Sequence, residues 1–394
     1  MKSDTLAVHG GRDGRASAHV PLIDLSTTYR TRELAAATES IDAMAEGRAP
    51  TGSPVYQRLH NPTVAGFENA LAGLEGAGEA VAFASGMAAI SAVLLASRMA
   101  GDHIVAVRPL YGGTDHLLQS GLLGMDVSWA TPEDISSHLR EDTALVICET
   151  PANPTLQLLD IRSLVEKTRG VPVMVDSTFA TPVLQRPMEH GAALVLHSGT
   201  KFIGGHGDVM AGIVACDDVW ARRLRQVRVL TGGNLHPMAG YTLHRGLQTL
   251  GVRVRAAQKN ACSLVHLLRS HPAVRRVLFP GLADCDPDGL VGRQMDGPGS
   301  MVSLDLYGGY EAAATVMSNV GLITPAVSLG SCDTLIQHPA GLTHRIVDDE
   351  AKEAGGIGPG LLRISVGLED IRDIWTDLEG ALDCIAEPLD CAAK

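Results

Sequence analysis

The sequence is poor in aromatic residues, has no paired cysteine motif and contains no long apolar run. Phe, Trp and Tyr make up 4% of its 394 residues, which argues for closely packed helices and strands rather than an aromatic-rich binding surface. Seven cysteines are scattered (Cys148, Cys216, Cys262, Cys285, Cys332, Cys384 and Cys391), and none forms a Cys-x-x-Cys pair. An odd number in a chain this long argues against a disulfide framework and for reduced, structural thiols. No uninterrupted apolar stretch reaches the roughly 18 residues that a membrane span requires. The opening MKSDTLAVHGGRDG lacks the apolar stretch of a signal peptide. Cytoplasm is the expected compartment. Lys/Arg-rich runs are missing and the formal net charge is −12. A diffuse acidic surface repels nucleic acid and anionic lipid, so neither is an expected partner. An anionic ligand would need a local cluster of donors.

What is present is a large apolar fraction: 45% hydrophobic against 19% charged residues. That suits a folded chain with a substantial core. The length exceeds one ordinary domain of about 100–200 residues, so two are expected. Residues 1–60 are rich in Gly, Pro, Ser and Thr, with a short helical piece near 33–46. They read as an arm that buries little by itself and lies across another subunit. From 61 to 250 short apolar strands alternate with helices: EAVAFAS, DHIVAVR, TALVICET, VPVMVDS, ALVLHSG and AGIVACD. Continuous apolar strands of this kind predict an α/β domain built on a mainly parallel sheet covered on both faces. From 251 to 394 the pattern changes. GSMVSLDLYG, LITPAV and LLRISVG alternate more and predict a smaller second α/β sheet, closed by an amphipathic helix over 369–385.

Ligands of parallel sheets bind beyond the carboxyl ends of the strands, and polar residues gather there. Lys201 follows a strand and a Ser-Gly-Thr turn, with Gly204, Gly205 and Gly207 after it. Desolvation there would lower its pKa and make the amine nucleophilic, although a surface-loop lysine explains the segment alone. Ser198 and Thr200 would offer hydroxyls to a phosphate near that amine. Asp176 ends an all-apolar strand and needs a cationic partner; a pyridine nitrogen kept protonated is one reading, a turn aspartate the other. In AFASGMAAI the backbone N–H groups of Gly86 and Met87 open a helix, a ready phosphate site. Tyr111 can stack on a flat ring or be a packed core aromatic. CETPANPT brings Glu149 and Asn153 to a further strand end. Together these parts fit one ligand: they offer a phosphate site, an amine, a carboxylate for a ring nitrogen and an aromatic face. They call for no metal.

In order along the chain, YQRLHNPT, ASGMAAI, YGGT, ETPANPT, VDSTFATP, HSGTKFIGGHGD, VSLG and LLRISVGLED resemble the Cys/Met-metabolism enzymes that depend on pyridoxal 5′-phosphate. The resemblance runs from about 26 to 370. It implies the fold type I transferase architecture, a large domain with a mainly parallel seven-stranded sheet and a smaller C-terminal α/β domain. It also implies a homotetramer, a dimer of dimers with active sites shared between subunits. Tyr56 and Arg58 would reach a neighbouring subunit's cofactor phosphate, whose site Gly86, Met87, Ser198 and Thr200 complete. Tyr111 would stack on the ring, Asp176 would pair with its nitrogen and Lys201 would bind the cofactor aldehyde. Asn153, the Ser328 region and Arg363 would hold the substrate carboxylate, for which a planar guanidinium is suited. Lys201 would move protons at Cα and Cβ, and Tyr111 would protonate a departing sulfur.

TLIQHPAGLTH and GIGPGLLRISVGLED look most like methionine γ-lyases, and cystathionine γ-lyases are the near relatives. The expected activity is therefore γ-elimination from L-methionine or L-cystathionine, giving 2-oxobutanoate, ammonia and a thiol. Two departures count against a strict methionine γ-lyase: Gly113, where those enzymes carry Cys and cystathionine enzymes Gly, and Arg228 and Val229 in place of a Lys-Asp pair. γ-Replacement by a synthase is the alternative. A non-catalytic binding protein on this fold would be expected to have lost Lys201 or Asp176, and both are kept.

Overall fold

In the computed structural model residues 1–12 and 18–391 are described, with side chains through 385. Residues 13–17 of the expected arm, residues 392–394 of the expected C-terminal domain and the side chain of Cys391 lie outside the described part.

The larger sheet contains β1 (Glu79–Phe83), β2 (His103–Val107), β3 (Asp126–Ala130), β4 (Thr143–Glu149), β5 (Val173–Asp176), β6 (Leu194–Ser198) and β7 (Gly212–Cys216). They lie in the order β1-β7-β6-β5-β4-β2-β3. All pairs from β3 across to β6 are parallel, and β7 runs antiparallel to both its neighbours. The sheet is thus seven-stranded and mainly parallel, as expected. Its interior strands are largely apolar because both faces are covered. Val105, Val146, Val175 and Val195 join one buried cluster, and Ile104, Leu145, Met174 and Leu196 join another on the opposite face. Period-two side-chain direction splits each strand between the two cores.

Five helices matter for the site and its surroundings: α1 (Ser3–His9), α2 (Leu34–Ala45), α3 (Pro62–Glu75), α4 (Gly86–Ser97) and α5 (Gly112–Gln119). Asn61 caps α3 by accepting from the N–H groups of Thr63 and Val64, Pro62 occupies the first turn, and Gly76 closes the helix in the left-handed region. Ser85 caps α4 by accepting from Ala88 N–H at 3.1 Å. A buried ion pair joins α3 to the helix Asp218–Thr231: Arg228 Nη1 donates to Glu68 Oε1 at 2.5 Å and to the Ala82 carbonyl at 2.8 Å. Glu68 in turn accepts from Ala82 N–H, so the edge strand β1 is pinned between them.

The second sheet contains β8 (Val274–Leu278), β9 (Met301–Leu306), β10 (Thr324–Pro325), β11 (Leu335–Gln337) and β12 (Leu361–Ser365), in the order β10-β11-β12-β9-β8. A third core cluster lies between this sheet and the helices Leu250–Leu268, Gly309–Asn319 and Ile371–Cys391. Three strands have no counterpart among the sequence expectations: β3, β8 and β11. β3 is an edge strand of mixed polarity, β8 carries two exposed arginines and β11 is three residues long. None shows a clean apolar alternation.

The arm contains α2 near its expected place and a bridge between Thr28 and Tyr56. It leaves Val20, Leu22, Leu25 and Leu34 exposed. Among the described residues the six cysteines with placed side chains are free thiols, and no helix is long and apolar enough to cross a membrane.

Candidate active site

The carboxyl ends of β4, β5 and β6, the starts of α4 and α5, and three later segments (327–329, 342–343 and Arg363 of β12) enclose a cavity of about 430 Å³. Ten of the twelve residues singled out from sequence line it: Gly86, Met87, Tyr111, Asn153, Asp176, Ser198, Thr200, Lys201, Ser328 and Arg363. Tyr56 and Arg58 do not. Tyr56 is 45% exposed, and Arg58 Nη1 donates to the Val229 carbonyl at 2.8 Å. Neither reaches the cavity of its own chain.

Lys201 is largely buried, and its Nζ donates to Ser328 Oγ at 2.7 Å. Burial first, then the nearby Arg363 charge, pulls its pKa down to about 8. Ser328 has φ of 85°, in the left-handed region that a residue with a Cβ seldom adopts. That backbone turns its hydroxyl to Lys201 and its carbonyl to Arg363 Nη2, 2.8 Å away. Arg363 is 2% exposed, and its Nη1 donates to Asn153 Oδ1 at 2.7 Å. Burial lowers its pKa to about 9, with Glu149 opposing that shift. His344, behind this cluster, is held down to about 4 by burial and by Arg363, so it is neutral at ordinary pH.

Asp176 ends β5. Its Oδ1 accepts from Thr178 N–H at 3.0 Å and from Thr178 Oγ1 at 2.6 Å. Among the described residues none donates to Oδ2. Burial pushes its carboxyl up, while the two Thr178 bonds oppose that. Glu149 pairs with Asp176 in the β4–β5 register and is itself buried. Burial and then the Asp176 charge push Glu149 well above the ordinary carboxylate range.

Opposite these groups, α4 presents its first turn. A Cβ on Gly86 would lie 3.4 Å from Ser198 Oγ, so the missing side chain leaves the helix start open beside that hydroxyl. The Thr200 hydroxyl is engaged with Ala211, accepting from its N–H at 3.0 Å and donating to its carbonyl at 3.2 Å. Gly113 has a steric role: a Cβ there would stand 2.6 Å from Tyr111 Cε1 and 3.2 Å from Met87 Sδ. The Tyr111 ring occupies the space a side chain at 113 would need.

Several lining residues had no place among the sequence expectations. Thr178 had a local signal, since Asp-x-Thr invites a side-chain-to-backbone turn. Phe179, Met210, Leu342 and Thr343 carried none, because tertiary packing alone brings them to the cavity.

The profile of the Cys/Met metabolism PLP-dependent enzymes matches residues 4–383. The L-methionine gamma-lyase of Brevibacterium sandarakinum is 57% identical over 97% of this chain and 98% of its own length. That of Streptomyces avermitilis is 56% identical over 96% of this chain and 88% of its own length. Among solved structures, a cystathionine gamma synthase from Xanthomonas oryzae pv. oryzae superposes with a TM-score of 0.88 at 36% identity, covering 97% of this chain and 98% of that one. A cystathionine gamma-lyase from Lactobacillus plantarum superposes with a TM-score of 0.88 at 32% identity, covering 97% and 99%. The residues present fit pyridoxal phosphate. A desolvated amine suits its aldehyde, the open α4 terminus its phosphate, and a half-buried carboxylate with an unclaimed oxygen its ring nitrogen. By sequence, fold and cavity chemistry, the chain belongs to the Cys/Met metabolism PLP-dependent enzymes of fold type I, with pyridoxal 5′-phosphate as its cofactor.

Proposed function

We propose that this enzyme is a carbon–sulfur lyase that carries out γ-elimination on L-methionine, giving 2-oxobutanoate, ammonia and methanethiol. The observation that carries this reading is the 57% identity to an L-methionine gamma-lyase across 97% of the chain. The assay is incubation with L-methionine, with L-cystathionine and with an O-acylhomoserine plus a thiol, followed by mass identification of products. 2-Oxobutanoate and methanethiol from the first are expected. Thioether from the third, with no keto acid from the first two, would make it a γ-replacement synthase. That second reading draws on the cystathionine gamma synthase likeness at 36% identity and on Gly113.

Pyridoxal 5′-phosphate, when bound, supplies an aldehyde for the substrate amine and a protonated ring that accepts electron density from Cα. The chain's own residues do the rest. Arg363, braced by Asn153 and the Ser328 carbonyl, grips the substrate carboxylate. Lys201, tethered by Ser328 Oγ, would take the Cα proton and, once relieved of it, a Cβ proton, whose bonding pair lets the γ-sulfur leave. Tyr111 covers the ring face and protonates the departing sulfur. Asp176 holds the ring nitrogen. The N–H groups of Gly86 and Met87, with the Ser198 hydroxyl, would hold the phosphate, and Thr200 would join them by releasing its bond to the Ala211 carbonyl.

Tyr56 and Arg58 complete a neighbouring copy's phosphate site in a homotetramer. Their distance from this chain's own cavity and the exposed apolar residues of the arm support that assignment. We divide the chain into an arm of 1–60, a cofactor domain of 61–250 and a C-terminal domain of 251–394. The cytoplasm is its compartment in this reading.

Only a neutral amine adds to an aldehyde. With Lys201 near 8, uptake of pyridoxal phosphate by the cofactor-free chain should quicken by about tenfold per pH unit below 8 and level off above it. Stopped-flow absorbance of the bound cofactor measures this. A rate still climbing beyond pH 9 would return the lysine to its ordinary range.

A further inference from the structure

We infer that Glu149 is a positioning residue that sets the spacing between the aromatic wall of the active site and its carboxylate grip. This rests on the lyase reading above and assigns Glu149 a role within it. Glu149 ends β4 and is 4% exposed. Its two oxygens are divided between two loops. Oε2 accepts from Tyr111 N–H at 2.6 Å, and Oε1 accepts from Asn153 N–H at 2.8 Å.

These two bonds fasten the backbone of the residues whose side chains face the substrate. Tyr111 is the residue that precedes α5. Asn153 passes the constraint on, because its Oδ1 accepts from Arg363 Nη1 at 2.7 Å. Arg363 then donates to the Ser328 carbonyl, and the Ser328 hydroxyl holds Lys201. One carboxylate therefore stands at the head of a bonded path from the aromatic ring to the amine.

The second buried carboxylate beside Asp176 also needs an explanation, since like charges at neighbouring strand ends oppose each other. Bidentate use of both oxygens by backbone donors supplies it. A glutamine keeps one acceptor and turns an NH₂ toward a backbone N–H, so one bond is lost. An aspartate is one methylene too short to span both loops.

The test uses holoenzyme of the parent, Glu149→Gln and Glu149→Asp. Three quantities are measured: cofactor content, the visible circular dichroism of the bound cofactor, and the Kd for L-norleucine, which has the substrate's carboxylate and amine but no leaving group. KM and kcat for L-methionine complete the set. Both variants are expected to keep full cofactor content and the parental thermal midpoint within a few degrees. The norleucine Kd and the methionine KM should each rise about tenfold or more, as misplacement of a gripping group requires. The dichroic band should change because the Tyr111 ring is reoriented. Parental Kd, KM and dichroism in Glu149→Gln would overturn the inference. Loss of cofactor together with melting in both variants would also overturn it, by making the role purely structural. If the parent takes up cofactor but leaves methionine untouched, the lyase reading falls. The norleucine Kd and the dichroism still decide the role of Glu149.

Discussion

Lys201→Ala lowers methionine turnover by at least about 10³-fold, the size expected when a single group serves as both nucleophile and proton carrier. Lys201 is the one lysine among the described residues lining the cavity, so no neighbouring amine takes over. The variant should also fail to hold cofactor after borohydride reduction, which intact mass reads directly. Its cofactor-free fold should be no weaker than the parent's. A lysine whose folded pKa is lowered to about 8 from 10.5 costs stability wherever it must stay charged while buried. That cost is fully present below pH 8 and fades as pH rises toward the unfolded value. At neutral pH alanine removes it. Parental turnover in Lys201→Ala would remove the basis of the proposed chemistry.

Asp176→Asn comes next, with kcat expected to fall on the order of 10²–10³-fold, as when one preorganised electrostatic partner is removed. The substitution is nearly isosteric. The amide oxygen can still accept from Thr178 N–H and Oγ1, which now bond Oδ1 at 3.0 and 2.6 Å. The strand end and the cavity shape therefore survive, and Lys201 still binds the cofactor. What disappears is the negative charge that keeps a ring nitrogen protonated. Steady-state kinetics beside a cofactor-content measurement separates the two effects. A kcat within threefold of the parent, at full cofactor content, would show that Asp176 does not serve the ring.

The sheet and most of the cavity were legible because parallel strands announce themselves. VMVDS is apolar up to Asp176, which lines the cavity; in ALVLHSG the first polar residue, His197, bonds Glu75 in the interior, and the next, Ser198, lines the cavity. Asp176 is the last residue of its strand, and Gly86 and Lys201 each lie three residues past theirs, so all three could be found by looking at the strand ends. β3 escaped because DVSWA lies at the sheet edge with a half-covered face. β11 escaped because three residues carry no period. Glu149 was visible as a strand-end carboxylate, yet its task was not. Both of its bonds go to backbone N–H groups, which every residue but proline carries and no motif records. Tyr56 and Arg58 are a different case: their assignment concerns a second copy, which a single chain does not contain.

Ser328 has a consequence for anyone wishing to make the enzyme withstand heat. Left-handed backbone at a residue with a Cβ costs about 1–2 kcal/mol, so glycine at 328 is an obvious route to a higher melting point. That same bend holds the hydroxyl on Lys201 and the carbonyl on Arg363. Durability and speed therefore pull in opposite directions at one residue, and the hardier protein would be the slower catalyst.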